Sequence, residues 1–242
     1  MAGPGLGHAR AVDDLSFFDV VTTTRSIRRY RDEPVPEADL ARILFAASRA
    51  PSGSNRQPFR FLVLRDGPAA TEARALLGDS FRALWAAKRA AAGYDAGSGA
   101  DPTSPKGRMA ATMQHFVDHV EQVPVVVLAC YRRHRDPHPT EGASIYPACQ
   151  NLLLVARALG YGGALTMWHG AVDGGLHDVL AIPDDVVIGA TITLGRPAGH
   201  HGPVRRRPLA ELVYEDRWDA PATWAEDPPG TRFTSAGPPR RG

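Results

Sequence analysis

The chain has 242 residues, 43% of them hydrophobic, enough to bury a real core in one large domain or two small ones. Lys and Arg number 28 against 26 Asp and Glu, a formal charge of +2, which excludes an overall field for nucleic acid or acidic membranes and makes any anion site local. Cys130 and Cys149, one in a strand-like and one in a helix-like run, read as two buried thiols in a reducing compartment and exclude a disulfide framework or a cysteine zinc site.

Residues 1–13 are rich in Gly and Ala and read as a disordered N-terminus. They lack a basic stretch followed by an apolar one, and no apolar run approaches the roughly 18 residues that span a membrane, so a cytoplasmic protein without membrane contact is expected. Phe17, Phe18, Val20 and Val21 predict a short helix over 15–21, leading through Thr22-Thr23-Thr24 into Arg25-Ser26-Ile27-Arg28-Arg29-Tyr30. If helical geometry continues, Arg25 shares a face with Arg28 and Arg29. Such a cluster is either a solvated face with an ion pair or two, or a set of guanidinium forks beside a hydroxyl that grips phosphate.

Pro34-Val35-Pro36 stops the chain, and a helix opens at Pro36-Glu37 with Leu40, Ile43, Leu44 and Ala47 as its apolar stripe. Residues 51–58, Pro-Ser-Gly-Ser-Asn-Arg-Gln-Pro, form a polar loop between this helix and a strand over 59–64. Two readings stand: a connection rich in turn residues, or a loop whose amides and hydroxyls bond a flat polar ligand. Residues 69–91 are helical by propensity, whereas 93–107 lack periodicity and read as a mobile loop or a lid.

A helix is predicted over 109–120, then a strand over 123–130 buried on both faces, then a strongly apolar helix over 144–159 expected to run through the middle of the fold. Gly160 caps it, and Tyr161-Gly162-Gly163 leads into a strand over 164–168, where glycine permits close approach of a ligand or another backbone. A short helix near 176–180 precedes a last strand over 186–194, and a second arginine cluster follows at 205–207. Residues 216–242 carry Trp218 and Trp224 without a core pattern, so an extended tail that wraps a partner subunit is expected. Together these elements make an α+β protein, an apolar sheet flanked by helices.

No Gly-x-Ser-x-Gly, His-Glu-x-x-His, Cys-x-x-Cys or strand-linked Gly-x-Gly-x-x-Gly occurs, and His200-His201 lacks further ligands at metal spacing. Two arginine clusters, a hydroxyl and amide loop and a Gly-rich strand start instead describe a site for a ligand with a phosphate end and a flat polar end. Flavin mononucleotide (FMN) has that shape.

The ordered set Thr24-Arg25-Ser26-Ile27-Arg28-Arg29-Tyr30, Pro34-Val35-Pro36, Ala50 to Phe59, Leu194-Gly195-Arg196-Pro197 and Arg205 to Pro208 resembles the FMN-dependent nitroreductase family from about residue 16 to about 215. The resemblance implies a central mixed sheet flanked by helices, an intertwined homodimer, and an FMN-binding domain over 14–215. It further implies hydride transfer from NAD(P)H to the flavin and on to a small-molecule acceptor such as a nitroaromatic or quinone, in ping-pong order. Arg25, Ser26 and Arg28 match family positions on the FMN phosphate, ribityl chain and pyrimidine edge, with Arg28 as the catalytic cation; Arg205 and Arg207 match the C-terminal phosphate pair. Pro51, Ser52, Gly53 and Asn55 match the loop that reaches the isoalloxazine from the partner subunit. Leu165, Thr166 and Met167 match the segment that approaches the flavin N5. Trp85 and the 93–107 loop are expected to shape the acceptor pocket.

The chain departs from the family pattern at Thr24, where many members carry arginine, and at Met167, where some carry glutamate. Ser26 argues against the flavin-fragmenting branch, which has aspartate there, and residues 69–108 lack the glutamate, tyrosine and lysine lid of the dehalogenases. A flavin-dependent biosynthetic dehydrogenase using oxygen, and a non-catalytic flavin-binding module, are the alternatives.

Overall fold

The computed structural model describes residues 15–234, so the N-terminal segment 1–13 and the end of the C-terminal tail lie outside the described residues. The chain divides after His201 into two compact units, whereas the sequence placed the tail's start at 216.

In the first unit, helix α1 (Phe17–Thr23) opens on a reciprocal cap. Ser16 Oγ accepts from the Asp19 N–H at 3.0 Å, and the Asp19 carboxylate accepts from the Ser16 N–H at 3.2 Å. Its end follows from the threonine run. The hydroxyls of Thr22, Thr23 and Thr24 donate to the carbonyls of Phe18, Asp19 and Val20 at 2.7, 2.6 and 2.6 Å, and the backbone turns extended at Thr24 (φ −65°, ψ 124°). Residues 24–29 are therefore not helical, which corrects the expectation that Arg25, Arg28 and Arg29 share a helix face.

Helix α2 (Glu37–Ala47) buries Leu40, Ile43 and Ala47, and β1 (Phe59–Leu64) follows the polar loop. After α3 (Pro68–Ala91) the next helix, α4 (Pro105–Asp118), begins inside the segment read as a loop. Ser104 accounts for this: its Oγ accepts from the Gly107 N–H at 2.8 Å while Pro105 takes the first helical position. The remaining elements are β2 (Val125–Arg132), α5 (Gly142–Ala158), β3 (Gly162–Thr166), α6 (Asp173–Leu180) and β4 (Val186–Gly195).

The four strands form one sheet in the order β1-β2-β4-β3. Every pairing in it is antiparallel among the described residues, where a mixed sheet was expected. Alternation along β2 sends Val125, Val127, Ala129 and Tyr131 into a core with α2 and α5, and Val126, Leu128 and Cys130 into a second core with α3, α4 and α6. The strand is buried along its length up to Tyr131, as its apolar run predicted. Helix α5 does not run through the middle. It packs one stripe, Ile145, Ala148, Cys149, Leu152 and Ala156, against α2 and the sheet, and leaves Leu153, Leu154 and Val155 half-buried. Cys149 and Cys130 thus lie on opposite faces of the sheet, both free and buried.

The second unit is built from local turns. A short helical turn spans Leu209–Glu211, Tyr214 bridges to Pro221, and Arg206 bridges to Phe233. Ala222 and Ala225 are buried, whereas Trp218 and Trp224 are exposed. Among the described residues, no helix is long and apolar enough to cross a membrane.

Candidate functional site

The segment that follows α1 is clipped across the ends of β3 and β4. The Ile27 N–H donates to Gly163 O at 2.9 Å, the Arg31 N–H to Arg196 O at 2.9 Å, and the Ala198 N–H to Arg29 O at 3.0 Å. Tyr30 locks the middle, its hydroxyl donating to Ile27 O at 2.6 Å and lying 2.8 Å from Thr193 Oγ1. Burial pushes the Tyr30 phenol upward, so it stays neutral. The two glycines give Ile27 its place: a Cβ on Gly162 would meet Ile27 Cγ1 at 2.4 Å, and one on Gly163 would meet Thr193 O at 2.6 Å. The close approach foreseen at these glycines is made by the chain itself.

With Ile27 buried, Arg28 is half-buried and lines two clefts, one with Tyr30, Asp32 and His115 and one with the end of β3, while Arg25, Ser26 and Arg29 are exposed. Burial draws the Arg28 guanidinium below its ordinary value; Tyr30 opposes that shift and neighbouring Arg25 adds to it. Among the described residues Arg28 makes no ion pair, so a half-desolvated cation faces the β3 cleft without a carboxylate.

That cleft, about 480 Å³, is lined by Arg28, by Ala164 to Trp168, by Trp85 and Lys88 of α3, by Tyr94, and by Met109, Met113 and Phe116 of α4. It brings together Arg28, Leu165, Thr166, Met167 and Trp85 from the sequence reading. β3 is the edge strand of the sheet, and because Gly163 O is bonded on the side away from β4, the alternation of an antiparallel ladder turns the Leu165 N–H and C=O the same way. The stretch beyond β3 is held from below. Ser80 Oγ donates to Trp168 O, the Trp168 ring packs edge-on against Phe81 at 5.6 Å, and His169 is bonded to Ile188 O at 2.9 Å and Thr191 Oγ1 at 3.1 Å.

Lys88, Met109, Met113, Phe116 and Trp168 were missed as site residues, whereas Tyr94 belongs to the 93–107 segment expected to shape the acceptor pocket. The signal at Met109, Met113 and Phe116 is helical spacing toward one side of α4, which reads equally well as core. Tyr94 packs tilted against Trp85, with centroids 5.1 Å apart and ring planes at 55°, and Gln114 Oε1 accepts from Trp85 Nε1 at 3.0 Å and Arg89 at 2.9 Å. Arg89 also pairs with Asp95 at 2.6 Å, so the segment after α3 is fastened to both helices that wall the cleft.

Of residues 51–58, Pro51 to Ser54, Arg56 and Pro58 line a different cleft. Ser54, Asn55 and Gln57 all adopt left-handed backbone, at φ 52°, 51° and 51°. Three such residues without glycine are costly, and they concentrate where surrounding contacts impose them. Here Ser52 Oγ accepts from the Gln57 N–H at 2.9 Å, Asn55 Oδ1 accepts from Gln57 Nε2 at 3.2 Å, and Ser144 Oγ accepts from the Gly53 N–H at 3.3 Å. Pro51, Ser52, Gly53 and Asn55 are thus brought together on one shaped loop, but not onto the cleft of Arg28. Arg205 and Arg207 fall in the second unit, exposed, with Arg207 paired to Glu211 at 3.0 Å.

A family model described as Nitroreductase family matches residues 21–196. An Archaeoglobus fulgidus protein provisionally named NADH dehydrogenase/NAD(P)H nitroreductase is 27% identical over 183 residues, covering 74% of this chain and 83% of that protein. A 5,6-dimethylbenzimidazole synthase from Rhodospirillum rubrum is 27% identical over 198 residues, covering 78% and 82%. Among solved structures, a provisionally named nitroreductase from Desulfovibrio desulfuricans in complex with FMN superposes with a TM-score of 0.60 at 28% identity, covering 85% of this chain and 99% of that one.

Proposed function

This chain belongs to the nitroreductase family, and from that premise we propose that it is an FMN-dependent NAD(P)H oxidoreductase that passes hydride to a small organic acceptor in ping-pong order. The observation that carries the reading is the juxtaposition of an unpaired, half-desolvated Arg28 with the free edge of β3 in one aromatic-walled cleft.

The residues present fit a flavin. Leu165 turns a backbone donor and acceptor outward from an edge strand, Arg28 offers a cation, and Trp85, Tyr94, Phe116 and Trp168 supply flat apolar wall. Bound FMN would supply the hydride-accepting centre, the chemistry that no side chain here provides. Arg28 would place positive charge beside the bound ring, in surroundings that weaken solvent screening. Leu165, Thr166 and Met167 would orient the ring through their backbone. On the family resemblance, Arg25 and Ser26 would hold the phosphate and ribityl end, and Arg205 and Arg207 are assigned as a phosphate pair; two charged hydrogen bonds at roughly 1.5 to 3 kcal/mol each contribute about two to four powers of ten in affinity.

The loop of Pro51, Ser52, Gly53 and Asn55 serves the flavin of a second copy. Its placement on another cleft supports this, as do Phe17, Phe18 and Phe45, which are 78%, 64% and 65% exposed on helices gathered around α5. A homodimer in which each subunit completes its partner's site accounts for both features.

The purified protein is expected to be a yellow dimer, to release FMN on denaturation, and to bleach anaerobically with NADH or NADPH. Bound flavin that neither nucleotide reduces would overturn the reading. Arg25→Ala combined with Arg207→Ala should give folded protein largely free of flavin; parental FMN content in that variant would remove both residues from the phosphate site.

A further inference from the structure

The cleft beside the 51–58 loop has a composition that flavin-ring contact does not require. It measures about 410 Å³ and its rim carries Arg56, His134 and Arg135 together with the hydroxyls of Ser52, Ser54, Thr140 and Ser144. No Asp or Glu is among its described lining residues. Among the described residues neither Arg56 nor Arg135 forms an ion pair, whereas neighbouring Arg133 is neutralised by a two-pronged contact with Glu141 at 3.0 and 3.1 Å. Glu141 is bonded to Arg133, and Arg135 feels its charge only through space. Ala143 and Ser144, in the first turn of the 17-residue helix α5, form another part of the wall, so the positive end of the helix dipole adds to the two guanidinium groups.

Two unpaired guanidinium forks, four hydroxyls and a helix start suit a compact, doubly charged oxyanion. We infer that this cleft binds a phosphate monoester, the 2′-phosphate of the nicotinamide donor, and so selects NADPH over NADH. The inference rests on the oxidoreductase reading for the identity of the donor, and on the cleft alone for the anion. Pro51, Ser52 and Gly53 line this cleft and belong to the loop assigned to the flavin ring, so the cleft adjoins the site that the donor's ring would visit. No bond is made or broken here. The site adds affinity and selectivity to a hydride transfer whose electrons come from the donor.

The test uses flavin-loaded, full-length protein and the exposed-site variants Arg56→Gln and Arg135→Gln. Calorimetric titration of the parent with adenosine 2′,5′-bisphosphate and with adenosine 5′-phosphate should show the bisphosphate binding at least about tenfold more tightly, the change expected from one charged hydrogen bond. Each variant should lose most of that advantage, and the ratio of kcat/KM for NADPH to that for NADH should fall by about tenfold or more. Inorganic phosphate should compete with NADPH. Equal binding of the two nucleotides, a ratio within about twofold of the parent in both variants, or phosphate competing with the acceptor alone would overturn the assignment. If both nucleotides bleach the flavin without dependence on Arg56 or Arg135, the oxidoreductase reading stands and the cleft assignment fails. If the bisphosphate binds selectively through those arginines while neither nucleotide bleaches the flavin, the anion site stands and the oxidoreductase reading fails.

Discussion

Arg28 reaches its cleft because two neighbours have no side chain. Ile27 occupies the space a Cβ on Gly162 would take, and Gly163 lies against the carbonyl of Thr193, a backbone atom that cannot swing aside. Gly163→Ala should therefore destabilise the protein by about 1–3 kcal/mol, the usual range for forced overpacking, and displace the 24–31 segment with it. Gly53→Ala, whose Cβ would meet nothing within 4 Å, should leave the denaturation midpoint nearly unmoved. Equal midpoints for the two variants in urea would refute this account of how Arg28 is placed. The arginine cluster was visible in the sequence as a cation-rich stretch beside a hydroxyl. Its extended path was not, because the competition that ends α1 is fought by three threonine hydroxyls whose choice of carbonyl partner has no signature in periodicity.

At the scale of elements, the segment between α3 and α4 is where pattern reading was weakest. Glycines and prolines hid a helix start that Ser104-Pro105 signals, and they hid the fastening of Tyr94. Gln114 is the buckle: its Oε1 serves both Trp85 and Arg89. Gln114→Leu would leave the indole N–H of Trp85, a residue only 2% exposed, without a partner, at a cost of about 1–3 kcal/mol. It should also raise amide exchange across residues 93–104 and weaken acceptor binding, with hydrogen–deuterium exchange as the measurement. Unchanged protection there would mean that Asp95 and the Tyr94 ring contact suffice. Strands and helices packed on the sheet were legible to within a few residues, since burial imposes periods of two and 3.6 on their sequences. Strand order was not, because the pattern that buries β2 says nothing about which neighbour lies on either side.

For the molecule as a whole, His169 sets a condition on pH. It is 5% exposed and bonded to Ile188 O and Thr191 Oγ1, and burial holds it below its ordinary 6.5, with the bond to Ile188 opposing the shift. Its proton is therefore bound more readily in the unfolded chain. Above about pH 6.5 neither state carries that proton and stability is unaffected; as pH falls through that value toward the lower folded one, the unfolded state gains and stability drops. His201, lowered first by burial, acts in the same direction. Thermal midpoints should fall between pH 7 and 5, and His169→Gln should flatten part of that fall; an identical slope in the variant would exclude His169 as its source.

The sheet that places Cys130 and Cys149 on opposite faces also gives the protein a form of chemical silence. Burial raises the two thiols to about 11 and about 12, with a small contribution at Cys130 from Asp173, so almost no thiolate exists at neutral pH and the layer of β-strands keeps the sulfurs from meeting. A protein proposed to handle electron pairs thus carries no thiol couple of its own within the described residues: thiol-directed alkylating agents find no exposed sulfhydryl until the two cores open, and the sulfurs then register each opening as a permanent mark.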